Sequence, residues 1–436
     1  MDKREFVRRR KRILEAMDED CIAIIPTAPV RNRNRDVEYP YRPDSDFYYL
    51  TGFPEPEAVA VLVPGRPQGE YVLFCRENHP EQEQWNGVRA GLEGACEQFG
   101  ADDAFPINDI DDILPGMMET RSEVYYAMGY YPEFDQRVLT WLNKIRTRSR
   151  AGVSAPGQFV ALDHIVHDMR LFKSKAEIKT MSNAMAISAR AHRRAMSVCR
   201  PGMTEYGIEA ELLHEFIRAG GRSVAYPPIV AGGANACILH YIENSRRLND
   251  GDLLLIDAGV EFDYYASDIT RTFPVNGRFS KEQRAVYELV LESQKAAIAQ
   301  VRPGNHWNDP HEAAVKVLTE GLVDLGLLKG RPATLVKKEA YKKFYMHRTG
   351  HWLGMDVHDV GDYKIDGEWR LLEPGMVMTV EPGLYIQGGG KNVPKKWWNI
   401  GVRIEDDVLV TRDGPEVLTR DAPKTIDEVE ALVGSA

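Results

Sequence analysis

The stretch "DGDLLLIDAGVEFDYYASDITRTFPV", residues 250–275, decides the fold of the second half of this chain. It contains a near-continuous apolar run, Leu253 to Ile256, which predicts a buried β-strand. Asp257 follows at once, and Asp268 comes eleven residues later within the alternating strand "SDITRTF". A hairpin-like return between the two strands would place the two aspartates side by side. Two carboxylates at buried strand ends repel each other unless a cation holds them.

Two later strands also carry acids at or near an end. "PGMVMTVEPGLYI" (374–386) predicts a third strand with Glu381 just before Pro-Gly, and "NIGVRIEDDVLV" (399–410) predicts a fourth. In the fourth strand, the alternation directs Arg403 and Glu405 away from the apolar face. Before both strands lies "HRTGHWLGMDVHD" (347–359), which holds three of the eleven histidines of the chain.

Four carboxylates with one imidazole form a donor set that two divalent cations would neutralise. Any single acid among the 65 in the chain is more readily a solvated side chain or a helix cap. Their joint arrangement with the histidine cluster is what favours a metal site. Oxygen-rich ligation with one imidazole suits Mn²⁺, Co²⁺ or Zn²⁺ better than a thiolate site would. Such ions lower the pKa of water from about 15.7 to about 7 and stabilise a developing oxyanion. The residues therefore predict metal-assisted hydrolysis.

The composition restricts the class of protein. With 55 basic and 65 acidic residues, the net charge of −10 argues against general affinity for nucleic acid or for an anionic membrane. Five scattered cysteines without a C-x-x-C pair suit a reducing compartment. The N-terminal "MDKREFVRRRKRILEAM" is too charged for a secretory signal, and no apolar run approaches the length of a membrane helix. We therefore expect a cytoplasmic protein without nucleic-acid or membrane partners.

The length of 436 residues predicts two domains. The first part mixes short apolar strands, such as "CIAIIP" (21–26), with helices, and "RRRKR" (8–12) is interpreted as a solvated helix face. A loop rich in small residues (149–158) precedes a long helix that Ser174 caps. We place the domain boundary near residue 170. This gives an α/β domain over 1–170 and a larger domain over 171–436 that combines helices with the acid-bearing strands.

Several of these segments together resemble the pita-bread metallopeptidases, and within them the Xaa-Pro aminopeptidase (aminopeptidase P) family. The resemblance covers nearly the whole chain. In the first domain it is carried by "RNRDVEYPYRPDSDFYYLTGFPEPEAVAVL" (33–62), and in the second by "YPPIVAGGANACILHY" and the four segments quoted above. It implies an α+β chain with a C-terminal pita-bread (creatinase/aminopeptidase) domain. It also implies a smaller N-terminal α/β domain that serves substrate access and oligomerisation.

The resemblance implies a dinuclear metal centre, with Mn²⁺ the expected ion. Five residues match the ligand positions of the family: Asp257, Asp268, His351, Glu381 and Glu405. In this interpretation Asp257 chelates one ion, Asp268 and Glu405 bridge the pair, and His351 and Glu381 complete the other ion. Glu381 would also move the proton of the attacking water.

Further roles around the metal centre also follow from the resemblance. His358 would bind the substrate carbonyl, and His240 would seat the proline side. Arg403 would lie behind the metals, with Tyr385 beside the reacting carbonyl. His347 would contact substrate or support the ligands.

Other residues are expected to complete the substrate site. Tyr226, Pro227 and Pro228 are candidates for an apolar wall, although core packing is the safer interpretation for each of them. Three residues of the first domain are candidates for substrate contacts, in the same subunit or from a neighbour in a homotetramer or homodimer: Asp36, Trp85 and Arg150.

The implied reaction is removal of an N-terminal residue that precedes proline (Xaa-|-Pro-Yaa). Prolidase, which cleaves only Xaa-Pro dipeptides, is the alternative with the same ligands, and the match over 33–42 favours the aminopeptidase. Methionine aminopeptidase is a less favoured alternative, because it usually lacks the large first domain. Creatinase and metal-free binding modules share the scaffold but have lost ligands, whereas all five ligand positions here carry suitable residues.

Overall fold

The structure, a computed structural model, describes residues 1–390 and 392–436. The chain divides into two compact units, Met1–Met169 and Arg170–Ala436. Both units mix helices with strands, as the sequence predicts. None of the helices within the described ranges combines the length and the apolar character that a membrane span requires.

The first unit is built on a six-stranded mixed sheet in the order β4-β3-β2-β1-β5-β6. Its strands are β1 (Cys21–Pro26), β2 (Val59–Leu62), β3 (Tyr71–Cys75), β4 (Asp103–Pro106), β5 (Glu123–Tyr125) and β6 (Gln158–Val160). The helices are α1 (Lys3–Glu15), α2 (Ser45–Thr51), α3 (Pro80–Asn86), α4 (Gly91–Glu97), α5 (Ile110–Met118), α6 (Pro132–Arg146) and α7 (Asp163–Leu171). The predicted strand "CIAIIP" is confirmed and is fully buried, because it lies at the centre of this sheet.

The interpretation of "RRRKR" as a solvated face is wrong for two of its arginines. Arg9 and Arg10 are buried, at 2% and 4% exposure. The Arg9 guanidinium lies over the Tyr49 ring at 3.8 Å, and that of Arg10 lies over the Tyr71 ring at 3.9 Å. Their charge is tolerated because each also donates to a backbone carbonyl, that of Tyr49 or Leu50.

The second unit carries the acid-bearing strands between helix pairs. Its helices are α8 (Lys175–Val198), α9 (Glu205–Arg218), α10 (Lys281–Ile298), α11 (Asp309–Asp324), α12 (Pro332–Lys337) and α13 (Ile426–Leu432). The predicted cap of α8 is confirmed: Ser174 and Glu177 form a capping box. Apolar residues of α8 and α9 pack against the strands Ile229–Gly232, Leu253–Asp257 and Thr270–Pro274. Those of α10 and α11 pack against the strands Gly383–Ile386 and Ile400–Arg403.

The strands of this unit form several small sheets. They are β7 (Ser223–Val224), β8 (Ile229–Gly232), β9 (Leu253–Asp257), β10 (Val260–Phe262), β11 (Tyr265–Ala266), β12 (Thr270–Pro274), β13 (Lys364–Ile365), β14 (Glu368–Trp369), β15 (Val377–Val380), β16 (Gly383–Ile386), β17 (Ile400–Arg403), β18 (Asp406–Thr411) and β19 (Gly414–Val417). The sheets have the orders β12-β9-β8, β11-β10-β7, β15-β18-β19, β16-β17 and β13-β14.

The structure corrects the prediction of single strands over 374–386 and 399–410. The first segment breaks at Glu381-Pro382 into β15 and β16, and the second breaks at Ile404-Glu405 into β17 and β18. β15 pairs with β18, whereas β16 pairs with β17, so both segments change sheet at the same level. Pro382 has no N–H to continue the ladder. Because of these breaks, Glu381 and Glu405 belong to neither β-ladder, and both lie where their segments change sheet.

Candidate metal centre and active site

The predicted return of the chain brings Asp257 and Asp268 together. β9 and β12 are antiparallel, and Thr270 lies opposite Asp257. The hydroxyl of Tyr226 lies 2.6 Å from Oδ1 of Asp257 and 2.5 Å from Oδ1 of Asp268. A hydroxyl has one proton, so Tyr226 donates to one carboxylate at a time and holds both within reach of a common ion.

His351 and the two glutamates converge on the same place from distant parts of the chain. Nε2 of His351 lies 3.4 Å from Oδ2 of Asp268 and 3.8 Å from Oε1 of Glu381. Asp268, His351 and Glu405 each offer a ligand atom, and these atoms lie within 4.8 Å of one another. One cation can therefore contact all three residues.

Backbone contacts hold these ligands in place. The amide of Glu381 donates to the carbonyl of Thr349 at 2.8 Å, and the amide of Glu405 donates to the carbonyl of Thr270 at 3.0 Å. The Thr270 hydroxyl donates to Oε2 of Glu405 at 2.6 Å. A Cβ on Gly350 would lie 2.0 Å from the Thr379 carbonyl oxygen, so only glycine permits the close approach that precedes His351.

The orientation of His351 suits a metal ligand. Its Nδ1 donates to the backbone carbonyl of Trp352 at 2.9 Å. In the neutral imidazole this bond leaves the lone pair on Nε2, which faces the carboxylates of Asp268 and Glu381. A backbone acceptor on the far nitrogen is the usual support of a metal-bound histidine.

The electrostatics of the cluster favour the binding of a cation. Burial, and then the charges of Asp268 and Glu381, raise the pKa of Glu405 well above its usual range. Burial raises the pKa of Glu381 to about 7 against the opposing charges of His351 and Arg403. Burial also raises the pKa of Asp268, despite its hydrogen bond to His351. Buried carboxylate oxygens with one imidazole are a donor set that fits divalent cations.

Arg403 supports the cluster from a buried position. Its Nη2 donates to Oδ2 of Asp257 at 2.7 Å, its Nη1 to the Tyr385 hydroxyl at 2.9 Å, and its Nε to Oγ1 of Thr270 at 3.0 Å. The Tyr385 hydroxyl lies 2.8 Å from Nε2 of His347, whose Nδ1 donates to the Arg348 carbonyl. Burial, and then the charge of Arg403, lower the pKa of His347 to about 3. His347 is therefore neutral, and its Nε2 accepts the proton of Tyr385.

A cavity of about 460 Å³ opens over the five predicted ligands. His240 and His358 lie on its wall, and the ring of His358 meets that of His351 edge to face at 4.4 Å. The apolar part of the wall consists of Pro227, Ile229, Leu239, Ile242 and Val357. An apolar wall opposite convergent polar groups is typical of a site that binds a small ligand.

The three candidates of the first unit lie elsewhere. Asp36, Trp85 and Arg150 are exposed, and the side chain of Trp85 is among the most accessible of the apolar residues at 87%. The described lining of the cavity lies wholly within residues 226–405. A substrate role for these three residues stays a prediction.

Sequence reasoning missed several residues of the site. The Tyr226 hydroxyl contacts two carboxylates, whereas only an apolar role was expected for this side chain. Thr270 binds Glu405, a role that its place on the same strand face as Asp268 could have suggested. Asp407, two residues after the predicted ligand Glu405, accepts a hydrogen bond from the amide of Asp268 at 3.1 Å. Arg348 also lines the cavity, although the sequence predicted roles only for its neighbours His347 and His351.

Comparison with family models assigns both parts of the chain. The model "Aminopeptidase P, N-terminal domain" matches residues 6–125, and the model "Metallopeptidase family M24" matches residues 179–412. The chain belongs to the M24 metallopeptidase family. The second match contains all five predicted ligands and the cavity around them.

Individual M24 proteins match over the full length. The Xaa-Pro aminopeptidase of Escherichia coli K12 is 46% identical, and the alignment covers 100% of this chain and 99% of that protein. The Xaa-Pro aminopeptidase of Haemophilus influenzae is 45% identical over 99% of this chain and 98% of that protein. The predicted family is therefore confirmed, and the chain lies in its Xaa-Pro aminopeptidase branch.

Solved structures of M24 proteins share the fold. Aminopeptidase PepP of Pseudomonas aeruginosa is 63% identical and superimposes with a TM-score of 0.98, covering 99% of this chain and 98% of that one. Zinc-substituted E. coli aminopeptidase P in complex with product is 46% identical, with a TM-score of 0.96 and the same coverage. These matches confirm the predicted fold class, a pita-bread domain that follows a smaller α/β domain.

Proposed function

We propose that this chain is a metal-dependent exopeptidase that releases the N-terminal residue from peptides with proline in second position. The observation that carries the proposal is the convergence of five side chains from four separate segments on one cavity, in a chain of the M24 family. The ligands in this proposal are Asp257, Asp268, His351, Glu381 and Glu405. The full-length similarity to Xaa-Pro aminopeptidases supports this substrate class over the dipeptides that prolidase cleaves.

The reaction needs a nucleophile, a proton carrier and a group that stabilises negative charge. Bound divalent ions supply Lewis acidity and make water a nucleophile near neutral pH. Glu381 takes the proton from the attacking water and delivers it to the proline nitrogen as the peptide bond breaks. His358 donates to the oxygen of the scissile carbonyl as that oxygen gains negative charge.

Arg403 and Tyr385 position other groups in this proposal. Arg403 holds Asp257 and the Tyr385 hydroxyl at fixed places. Tyr385 lies beside the reacting carbonyl, and His347 orients it by accepting its proton. Arg403 is buried, and its Nε, Nη1 and Nη2 atoms all donate hydrogen bonds. Its substitution would therefore disturb both Asp257 and Tyr385.

Proline explains why the site has an apolar wall. The Xaa-Pro bond has no N–H that a protease could hydrogen-bond, and the proline ring restricts the backbone conformation of the residue before it. The enzyme must therefore accept the ring itself and bind the free α-amine. Pro227, Ile229 and Ile242 offer an apolar surface for the ring, with His240 beside it. The amine would lie near Asp257.

The remaining features complete the proposal. Two Mn²⁺ ions per subunit fit a donor set of four carboxylates and one imidazole. The five cysteines are free, which suits the cytoplasm.

Residues 1–170 would serve substrate access and association into a homotetramer or homodimer, and residues 171–436 would carry out catalysis. The exposed side chain of Trp85 supports a contact outside its own subunit. Asp36, Trp85 and Arg150 are the proposed contacts of that domain with substrate.

The test is hydrolysis by metal-stripped protein into which Mn²⁺ is titrated. We expect Ala-Pro-Ala to be cleaved at the first bond, with activity saturating at two ions per subunit. The dipeptide Ala-Pro should be cleaved much more slowly, and the reverse preference would favour prolidase. Asp257→Ala, Asp268→Ala and His351→Ala should each abolish turnover and keep the native circular dichroism spectrum. Asp413→Ala, at an exposed turn, is the matched control. Near-wild-type rates in a ligand variant would contradict the assignment.

A further inference from the structure

A second cavity of about 640 Å³ adjoins the catalytic one. Its described lining consists of Trp307, Arg348, Gly350, Tyr363, Lys364 and Trp369, and we call it the Trp369 groove. Arg348 and Gly350 line both spaces. Because Gly350 directly precedes His351, the groove begins at the candidate metal centre.

The floor of the groove is a fixed aromatic cluster. The rings of Trp307 and Tyr363 lie 4.7 Å apart, and Tyr363 stacks on the buried Trp352 with an angle of 4° between the planes. Trp307 also contacts Trp352 at 4.2 Å. Such a surface is rigid and apolar, and aromatic-lined grooves of this kind bind extended, proline-containing peptides.

Two cations lie at the rim of this floor. The guanidinium of Arg348 lies 4.9 Å from the centre of the Trp369 ring, and Nζ of Lys364 lies 4.5 Å from it. Neither cation forms an ion pair with a carboxylate anywhere in the described ranges, and the Arg348 guanidinium donates to the neutral amide oxygen of Asn308. The described lining of the groove carries no acidic side chain. The groove thus presents the positive charges of Arg348 and Lys364 to its occupant.

We propose that the Trp369 groove binds the part of the substrate that follows proline, and that Arg348 pairs with a carboxylate in that part. The inference rests on the proposed function, because it takes the occupant to be the substrate of the neighbouring centre. An extended peptide advances about 3.4 Å per residue. The C-terminal carboxylate of an Xaa-Pro-Yaa tripeptide therefore lies roughly 7 Å beyond the scissile bond. Arg348 lines both the catalytic cavity and the groove, so in this proposal it pairs with that carboxylate and favours short peptides with a free C-terminus.

The experiment compares Ala-Pro-Ala with its C-terminal amide on the Mn²⁺-loaded enzyme. We expect kcat/KM to be about tenfold higher for the free acid, since a charge-assisted bond to guanidinium is stronger than one to a neutral amide. Most of the difference should lie in KM, because Arg348 does not contact the reacting atoms. The preference should weaken in high salt, as pairing at an open site is screened.

Arg348→Ala should reduce the acid-to-amide ratio of kcat/KM to about one, whereas Arg348→Lys should keep part of it. Lys364→Ala should reduce the ratio less. Arg412→Ala, which removes an exposed arginine outside both cavities, is the control and should leave the ratio at its wild-type value. Equal rates for acid and amide in the wild type, or an unchanged ratio in Arg348→Ala, would overturn the inference.

A second pair of substrates identifies the source of the carboxylate. If an acidic side chain at the third residue also serves, Ala-Pro-Asp amide should be cleaved faster than Ala-Pro-Asn amide, and Arg348→Ala should remove the difference. Failure of the inference differs from failure of the proposed function. Cleavage of every peptide with no preference for a carboxylate refutes the role of Arg348 alone, whereas no cleavage of any Xaa-Pro peptide refutes both.

Discussion

The hydroxyl of Tyr226 lies 2.6 Å from Oδ1 of Asp257, and the same oxygen lies 2.5 Å from a carboxylate oxygen of Asp268. Asp257 is the last residue of β9, and Asp268 lies two residues before β12, the strand that pairs with β9. Burial, and then the charges of these carboxylates, raise the pKa of Tyr226 well above its ordinary value. Tyr226 therefore stays protonated and acts as a neutral donor that orients the two carboxylates.

Replacing this donor should weaken metal binding without unfolding the protein. In Tyr226→Phe the two carboxylates lose the one hydrogen-bond donor that they share, and loss of such support costs about 10- to 100-fold in metal affinity. We expect a tenfold or larger rise in the Mn²⁺ dissociation constant, measured by competition with a fluorescent chelator. Tyr241→Phe is a matched control, because that buried hydroxyl donates to Glu205 outside the cavity. Equal metal affinity in the two variants would contradict the role of Tyr226.

A buried ion pair should position His358. Nζ of Lys173 lies 2.9 Å from Oδ2 of Asp359, the residue after His358, and both side chains are 1% exposed. Arg170 binds the other carboxylate oxygen at 2.6 Å. Breaking a buried pair costs about 3–5 kcal/mol, so Lys173→Met, which leaves Arg170 in place, should lower the free energy of unfolding by about 2 kcal/mol. Urea denaturation measures this loss, and Lys295→Met, at an exposed position, is the control.

The same variant should also lower kcat/KM for Ala-Pro-Ala, because the segment that carries His358 loses one of its anchors. If the effect acts through His358, Lys173→Met should add little to His358→Ala in the double variant. Full additivity of the two effects on kcat/KM would show that the pair supports only the fold.

Metal removal should destabilise the protein through the clustered carboxylates. An ion that binds only the folded state stabilises it by about 2.7 kcal/mol at a concentration of one hundred times its dissociation constant. We therefore expect Mn²⁺ to raise the melting temperature of metal-stripped wild type. Glu405→Gln, which replaces a buried carboxyl by a neutral amide of similar size, should melt at or above the metal-stripped wild type and should respond little to Mn²⁺. An equal rise in both proteins would argue against Glu405 as a ligand.

Acid should destabilise the fold through His192, which is not one of the predicted ligands. Its imidazole is fully buried, and Nε2 donates to the Ala258 carbonyl at 3.0 Å. Burial lowers its pKa from 6.5 to about 4. The unfolded chain binds this proton below pH 6.5 and the folded chain resists it to about pH 4, so stability is complete above pH 6.5 and falls through that window.

The His192 contribution should amount to about 2 kcal/mol between pH 7 and pH 5. His192→Gln keeps a donor for the carbonyl but cannot titrate, so its urea midpoint should fall less over this range. Both proteins are compared after removal of metal, which separates the effect from acid release of the ions. The same pH dependence in both proteins would rule out His192 as the titrating group.

Much of the site could be predicted because its ligands follow strong local patterns. The apolar run before Asp257 and the alternation after Asp268 predict two strands, and their pairing in the structure follows from a short return. The sequence did not predict the breaks at Pro382 and Glu405, because an apolar alternation does not record which sheet a strand joins. It also could not assign Tyr226, since a tyrosine hydroxyl has no local signature and its partners lie 31 and 42 residues away.

By itself, the sequence determined the family, the types of donor atom and the strands that carry them, because these depend on residue identity and on spacing within a segment. Only the tertiary structure decided which atoms meet. Glu381 and Glu405 lie close together because two segments change sheet at the same level, Nε2 of His351 faces Asp268, and Arg348 lines both cavities. Such contacts depend on packing between segments far apart in the chain, and no periodicity within a single segment encodes them.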